Sequence, residues 1–291
     1  MKTSMITSKG FKTVVANATK AALAVITAAV LATTLPGCGA TTSADAAISE
    51  TQYAVNTLVD RYLGVILDGS SSTDPSFVGD MSQRLIGQVT NYVQVLPEDL
   101  RDGLPGQGAL TIYIYMVGTD PLAYGAQDHY EVKISGYSTL PPRPTNTDEE
   151  SYADDVAKWG TFRDNVWRPQ YDAAVQSRDE ALAKLASIEL VDDQWSGICA
   201  TTSALARVLP AGSPVIVCSD LENNQDIAYD GTLAGSSVSI IKPYTSGDVD
   251  YQHQLEDEYR EYLVNMGVSE SAITVYAPEQ ADAAFMAAFG Q

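Results

Sequence analysis

Histidine, cysteine and basic side chains are all scarce in this chain of 291 residues, and each scarcity removes a class of function. There are two histidines, His129 and His253. That excludes a histidine-rich zinc site and leaves a Ser-His-Asp triad only those two residues to draw on. His253 lies in the charged segment DYQHQLEDEYREY and is expected to be solvated. His129 precedes a strand pattern and is expected at the surface. Neither neighbours a G-x-S-x-G elbow, and no phosphate-cradling glycine motif (G-x-x-x-x-G-K-S/T or G-x-G-x-x-G) occurs, so nucleotide binding has no support. Lys and Arg total 17 against 37 Asp and Glu, a net charge of −20. Such a surface repels nucleic acid and anionic lipid headgroups, so no nucleic-acid partner is expected. No apolar run reaches the ~20 residues of a spanning helix.

The longest apolar run, AALAVITAAVLATTL (21–35), follows a start that carries Lys2, Lys9, Lys12 and Lys20 and no acid. Leu35-Pro36-Gly37-Cys38 comes next. A basic start, a short apolar stretch and a small residue before a cut describe a secretory signal. The tetrapeptide resembles the lipobox of bacterial lipoproteins. In that family the cysteine thiol receives a diacylglycerol and becomes the mature N-terminus, and two acyl chains give a stable anchor. The resemblance implies a signal peptide over 1–37, lipidation at Cys38 and a mature chain more acidic than −20, held by its anchor on the outer face of a bacterial cell membrane. The weakly apolar, small-residue stretch GATTSADAAIS (39–49) has the composition of a flexible spacer, so 38–51 is expected to be a tether and 52–291 one α/β domain. Cys199 and Cys218 remain. They could pair in an oxidising compartment or be buried apolar thiols, and Cys218 sits inside a buried-strand pattern, which favours thiols.

Strand and helix patterns take turns along the rest. TLVDRYLGVIL (57–67) ends in an apolar, partly β-branched run. Phe77, Met81, Leu85, Ile86, Val89, Val93 and Leu96 recur at helical spacing up to Pro97. LTIYIYMVG (110–118) reads as a strand, with YEVKISGY (130–137) paired beside it. Segment 138–190 opens on LPPRPTNT and holds two helical stretches, the first broken at Pro169. It has the character of an inserted surface subdomain. A helix over 196–209, strands at 213–221 and 237–244, a helix ended by Gly267, a strand at 272–278 and a closing helix complete the order. The alternation predicts a doubly wound, mostly parallel sheet flanked by helices.

The first strand runs into Asp68-Gly69-Ser70-Ser71-Ser72, and the strand at 213–219 runs into Asp220. Ligand sites of open parallel sheets lie beyond the carboxyl ends of strands. Hard oxygen ligands in such a place suit Mg²⁺, Mn²⁺ or Ca²⁺. The D-x-S-x-S pattern on Asp68, Ser70 and Ser72, the apolar strand ending at Asp220 and the order of elements resemble the von Willebrand factor A family, in particular its secreted bacterial members, over roughly residues 57–290. The resemblance implies a metal-ion-dependent adhesion site completed by a threonine from an intervening loop. Here that loop is VDDQWSG (191–197), and Asp192 or Asp193 stands where the threonine belongs. Asp192 is aligned to it. Three carboxylates, Asp68, Asp192 and Asp220, would make the site net negative and disfavour a fourth from a partner.

Other features are weaker. Asp148-Glu149-Glu150 fits a helix start, and Tyr113 and Tyr115 alternate on one strand. Of Trp159, Trp167 and Trp195, the last lies in the proposed metal loop. Three functions remain open: a surface protein that binds a protein or glycan ligand through its metal face, a non-catalytic docking subunit of an envelope assembly, and a metal-dependent hydrolase. The scarcity of bases and nucleophile pairs disfavours the last, so the chain is not expected to be an enzyme.

Overall fold

A computed structural model describes residues 58–117, 129–145, 149–189, 196–224, 229–244 and 249–290. All lie in Asp45–Gln291, one of the two units into which the chain divides. The signal, Cys38, the tether, Asp148 and the loop residues Asp192, Asp193 and Trp195 fall outside the described residues.

The elements run β1 (Arg61–Asp68), α1 (Pro75–Tyr92), β2 (Leu110–Val117), β3 (His129–Ile134), α2 (Glu149–Phe162), a π-helical turn (Arg163–Trp167), α3 (Arg168–Ala186), α4 (Ile198–Val208), β4 (Val215–Cys218), β5 (Val238–Ile241), α5 (Val249–Asn265), β6 (Ile273–Tyr276) and α6 (Ala281–Phe289). Six strands form one sheet in the order β3-β2-β1-β4-β5-β6. All pairs are parallel except β2 with β3. The expected mostly parallel α/β sheet flanked by helices is therefore the observed architecture.

Alternation along the central strands builds two cores. Leu63, Val65 and Leu67 of β1, with Ile216 and Cys218 of β4, face α1, α2, α3 and α6. Ile66, Val215 and Val217 face the other way, toward α4 and α5. This period of two is what a strand buried on both faces requires. Among the described residues no helix is long and apolar enough to cross a membrane.

Helix α1 begins where its sequence says it should. Asp74 is the N-cap, its carboxylate accepts from the Ser76 amide at 2.8 Å, and Pro75 opens the first turn. The helix buries Phe77, Val78, Met81, Leu85, Val89 and Tyr92. It ends at Tyr92 rather than at Pro97, because Val93 turns extended. Val93 and Leu96 still pack on the core.

Segment 138–190 departs from expectation. Pro169 does not break the helix. The π turn before it, with the Arg168 amide bonded to the Arg163 carbonyl, carries the chain into α3, and Pro169 sits in the first turn, where an N–H is dispensable. Nor does the segment stand off as a surface subdomain. Trp159, Phe162, Trp167, Tyr171, Ala174, Ala181 and Leu185 join the main core, and α3 packs against α1 and β3. His129 is also not a plain surface residue. It opens β3, half-buried, and stacks on Tyr115 with ring centroids 5.0 Å apart. His253 is exposed. Cys199 and Cys218 are buried free thiols, and burial pushes Cys199 up to about 12 and Cys218 further still.

Candidate functional site

Strand order reverses direction between β1 and β4, and ligand sites of open parallel sheets lie beyond the strands' carboxyl ends at such a point. The register pairs Leu67 with Cys218, so Asp68 and Ser219 leave the sheet side by side. Asp68 is fully buried, Ser219 equally so, and Asp220 is 2% exposed.

One carboxylate gathers both loops. The Ser70 amide donates to Asp68 Oδ1 at 3.0 Å, and the Ser219 hydroxyl donates to Asp68 Oδ2 at 2.5 Å. Ser219 Oγ in turn accepts from the Leu221 amide at 2.8 Å. Ser70 Oγ and Ser72 Oγ lie 3.1 Å apart. Asp220 Oδ1 accepts from the Glu222 amide at 3.0 Å, and Ser72 hydrogen-bonds the Glu222 side chain. The sequence-derived residues Asp68, Ser70, Ser72 and Asp220 are thus brought to one edge and one loop cluster. Ser196 and Gly197, which open the way into α4, are stitched to the same cluster. The Ser196 amide donates to Asn224 Oδ1 at 3.0 Å, the Asn224 amide to the Ser196 carbonyl at 2.9 Å, and the Ser196 hydroxyl to the Glu222 carbonyl. Gly197 bridges to Asn223.

Charge at this edge is unbalanced. Among the described residues no Lys, Arg or His forms an ion pair with Asp68, Asp220 or Glu222. Burial pushes the Asp68 carboxyl above the ordinary aspartate range. Hydrogen bonds from Ser219 and Ser70 pull it back, and the charge on Asp220 adds to the rise. Glu222 is raised for the same first reason, burial, and by Asp220, with the Ser72 hydrogen bond opposing. Leu221 adds backbone strain, with φ at +69° although it carries a side chain that is 2% exposed.

The donor set is of the oxygen type that a small hard cation takes. Adjacent oxygens around an octahedral ion at about 2.1 Å stand roughly 3.0 Å apart, close to the Ser70–Ser72 separation. The carboxylates alone do not make a metal centre. Among the described residues no three His, Cys, Asp or Glu side chains form a group able to hold an ion.

Ser219 and Glu222 were not legible as site residues. Their signal was faint: a hydroxyl immediately before Asp220 and an acid two places after it. Only the β1–β4 register shows what Ser219 faces.

No family model and no curated protein matches the sequence. Solved structures similar to it include proximal thread matrix protein 1 from the mussel byssus and the pilus adhesin SpaC from Lactobacillus rhamnosus GG in its open conformation. The first is 10% identical with a TM-score of 0.38, over 79% of this chain and 47% of its own. The second is 8% identical with a TM-score of 0.41, over 80% of this chain and 30% of its own. The chain thus spans less than half the length of either, and likeness at this level assigns neither a family nor a function.

Proposed function

We propose that this protein is a binding module that holds a divalent cation at the β1/β4 edge and uses that face, without catalysis, to engage a protein or glycan outside the cell. The supporting observation is the pairing of two buried carboxylates, Asp68 and Asp220, with no cationic partner among the described residues and with the Ser70 and Ser72 hydroxyls beside them. Buried charge of one sign calls for a counter-charge. A cation held by Asp68, Asp220, Ser70 and Ser72 supplies it, and Asp192 is the proposed further ligand from the adjoining loop. Such an ion offers Lewis acidity to an oxygen of the bound partner. The lipobox-like Leu35–Cys38 supports export and lipid anchoring at Cys38, on the outer face of the membrane.

The test is a melting scan of the mature chain in chelator and in millimolar Mg²⁺, Mn²⁺ or Ca²⁺. Variants are Asp220→Ala and Asp68→Asn, the latter chosen because an amide still accepts from the Ser70 amide. An ion that binds only the native state at a hundred times its Kd stabilises by about 2.7 kcal/mol. That is a rise of roughly 5–10 °C in a domain of this size. The rise is expected in wild type and absent in both variants. A rise of equal size in all three, or none in wild type, rejects the metal site.

A further inference from the structure

A second candidate site lies at the other edge of the sheet. Asp68 ends β1, whose first residue, Arg61, pairs with Leu110 at the start of β2. Just before Leu110 the chain lines a cleft of about 810 Å³ with the end of α1, the turn after β3 and one residue of α3. Eight strand residues at about 3.3 Å each put it roughly 25 Å from the carboxylate edge.

The lining differs from the rest of the molecule. The chain carries 37 acidic residues, yet among the described residues no Asp or Glu lines this cleft. Asn91, Gln94 and Gln107 provide amides, Tyr92 and Tyr137 provide phenols, and Arg178 is the single ionised group among the described residues. The Arg178 charge is already matched, since its guanidinium contacts Asp179 at 2.5 Å and donates to the Val93 carbonyl at 3.2 Å. Tyr92 is committed too, donating to the Gly108 carbonyl at 2.9 Å. Tyr137 is not. It is 4% exposed as a residue, no described group hydrogen-bonds its hydroxyl, and that hydroxyl is not one of the fully buried unpartnered polar atoms. Its ring is fixed edge-on against Tyr171, centroids 5.4 Å apart. Burial pushes the phenol up to about 12, so it stays neutral and able both to donate and to accept.

A phenol hydroxyl on the wall of a cleft, bonded by no described protein group, is available to a ligand hydroxyl in a hydrogen bond of modest net worth. With no acid among the described lining residues a cation finds little charge to hold it, and a neutralised arginine gives a strong anion little to hold. Side-chain amides offer a donor and an acceptor side by side, the match for neighbouring hydroxyls. The volume lies within the range of small-molecule sites. We propose that this cleft binds a neutral saccharide of one or two rings, with Tyr137 as a hydrogen-bonding contact, independently of the metal edge.

The experiment is calorimetry on the mature chain in chelator, which silences the carboxylate edge. The probes are glucose, galactose, mannose, N-acetylglucosamine, lactose and maltose, with citrate and phosphate as anions. At least one sugar is expected to bind saturably. Tyr137→Phe, which deletes one oxygen from the buried ring, is expected to weaken it by roughly three- to tenfold. Gln94→Ala alters an exposed side chain that the core does not use, and it too is expected to weaken binding, which keeps the test open if the tyrosine variant folds poorly. No binding across the six sugars, binding of the anions alone, or sugar binding that both variants leave unchanged overturns the proposal. None of these outcomes bears on the cation site.

Discussion

Asp68 is buried completely, and its charge is opposed by burial and by the neighbouring Asp220. Its folded-state pKa therefore lies above the ordinary 3.8. A raised carboxyl binds its proton more tightly in the folded state than in the unfolded one. Its stabilising contribution is complete below about 3.8 and is lost as pH rises through the raised value. In metal-free buffer, wild type should lose stability relative to Asp68→Asn as pH climbs from 3.5 to 7.5. Urea midpoints of the two proteins across that range measure the difference. A gap that stays constant with pH would mean that Asp68 carries no buried charge. Four of the proposed ligands, Asp68, Ser70, Ser72 and Asp220, were legible because loops that follow apolar strands end at a predictable edge. Ser219 was not, because its bond to Asp68 depends on a register between residues 151 positions apart. Leu221 was illegible for another reason. Its left-handed backbone is ordinarily the province of glycine or asparagine, and nothing local marks it.

At the scale of elements, the central strands were readable because they are short apolar runs, and α1 was readable by its capping aspartate and the proline after it. The stretch from α2 to α3 was misread because proline signals a helix break only when no local device absorbs it, and the π turn at Arg163–Trp167 is such a device. That turn closes on Trp167, 1% exposed, stacked on Tyr171 at 4.8 Å and lodged in the main core. Among the described residues its indole Nε1 has no hydrogen-bond partner. The residue therefore works through volume and ring stacking rather than through its N–H. Trp167→Ala should cost roughly 3–5 kcal/mol, whereas Trp167→Phe, which keeps a ring and removes an unsatisfied donor, should cost less than half as much. Denaturant midpoints of the two variants decide it. Equal losses would show that the indole nitrogen matters, and that α2 and α3 are joined by something other than packing. The same packing makes 149–186 part of the domain's first core layer. Its apolar positions had been visible in the sequence, but which surface they cover was not, since a helix pattern names a buried face without naming its partner.

For the molecule as a whole, a net charge of −20 repels itself, and that repulsion weakens the compact state. Loss of Lys2, Lys9, Lys12 and Lys20 on export would deepen it. Two cation effects on stability must then be told apart. Diffuse screening depends on ionic strength alone, and at 0.15 M the Debye length is already about 8 Å. A bound ion depends on its own concentration against Kd and saturates. Raising NaCl from 0.02 to 0.5 M in chelator should lift the melting temperature gradually and to the same extent in wild type and Asp220→Ala. The further rise on adding 5 mM Mg²⁺ or Ca²⁺ at constant ionic strength should saturate and should occur only in wild type. Charge spread over the surface cannot produce that difference, because one aspartate among 37 acidic residues hardly changes the mean field, while the β1/β4 edge loses one of its two buried carboxylates. If the divalent rise survives in Asp220→Ala, the cations are acting on the acidic surface at large, and the convergence of loops at the sheet edge is a feature of the fold alone.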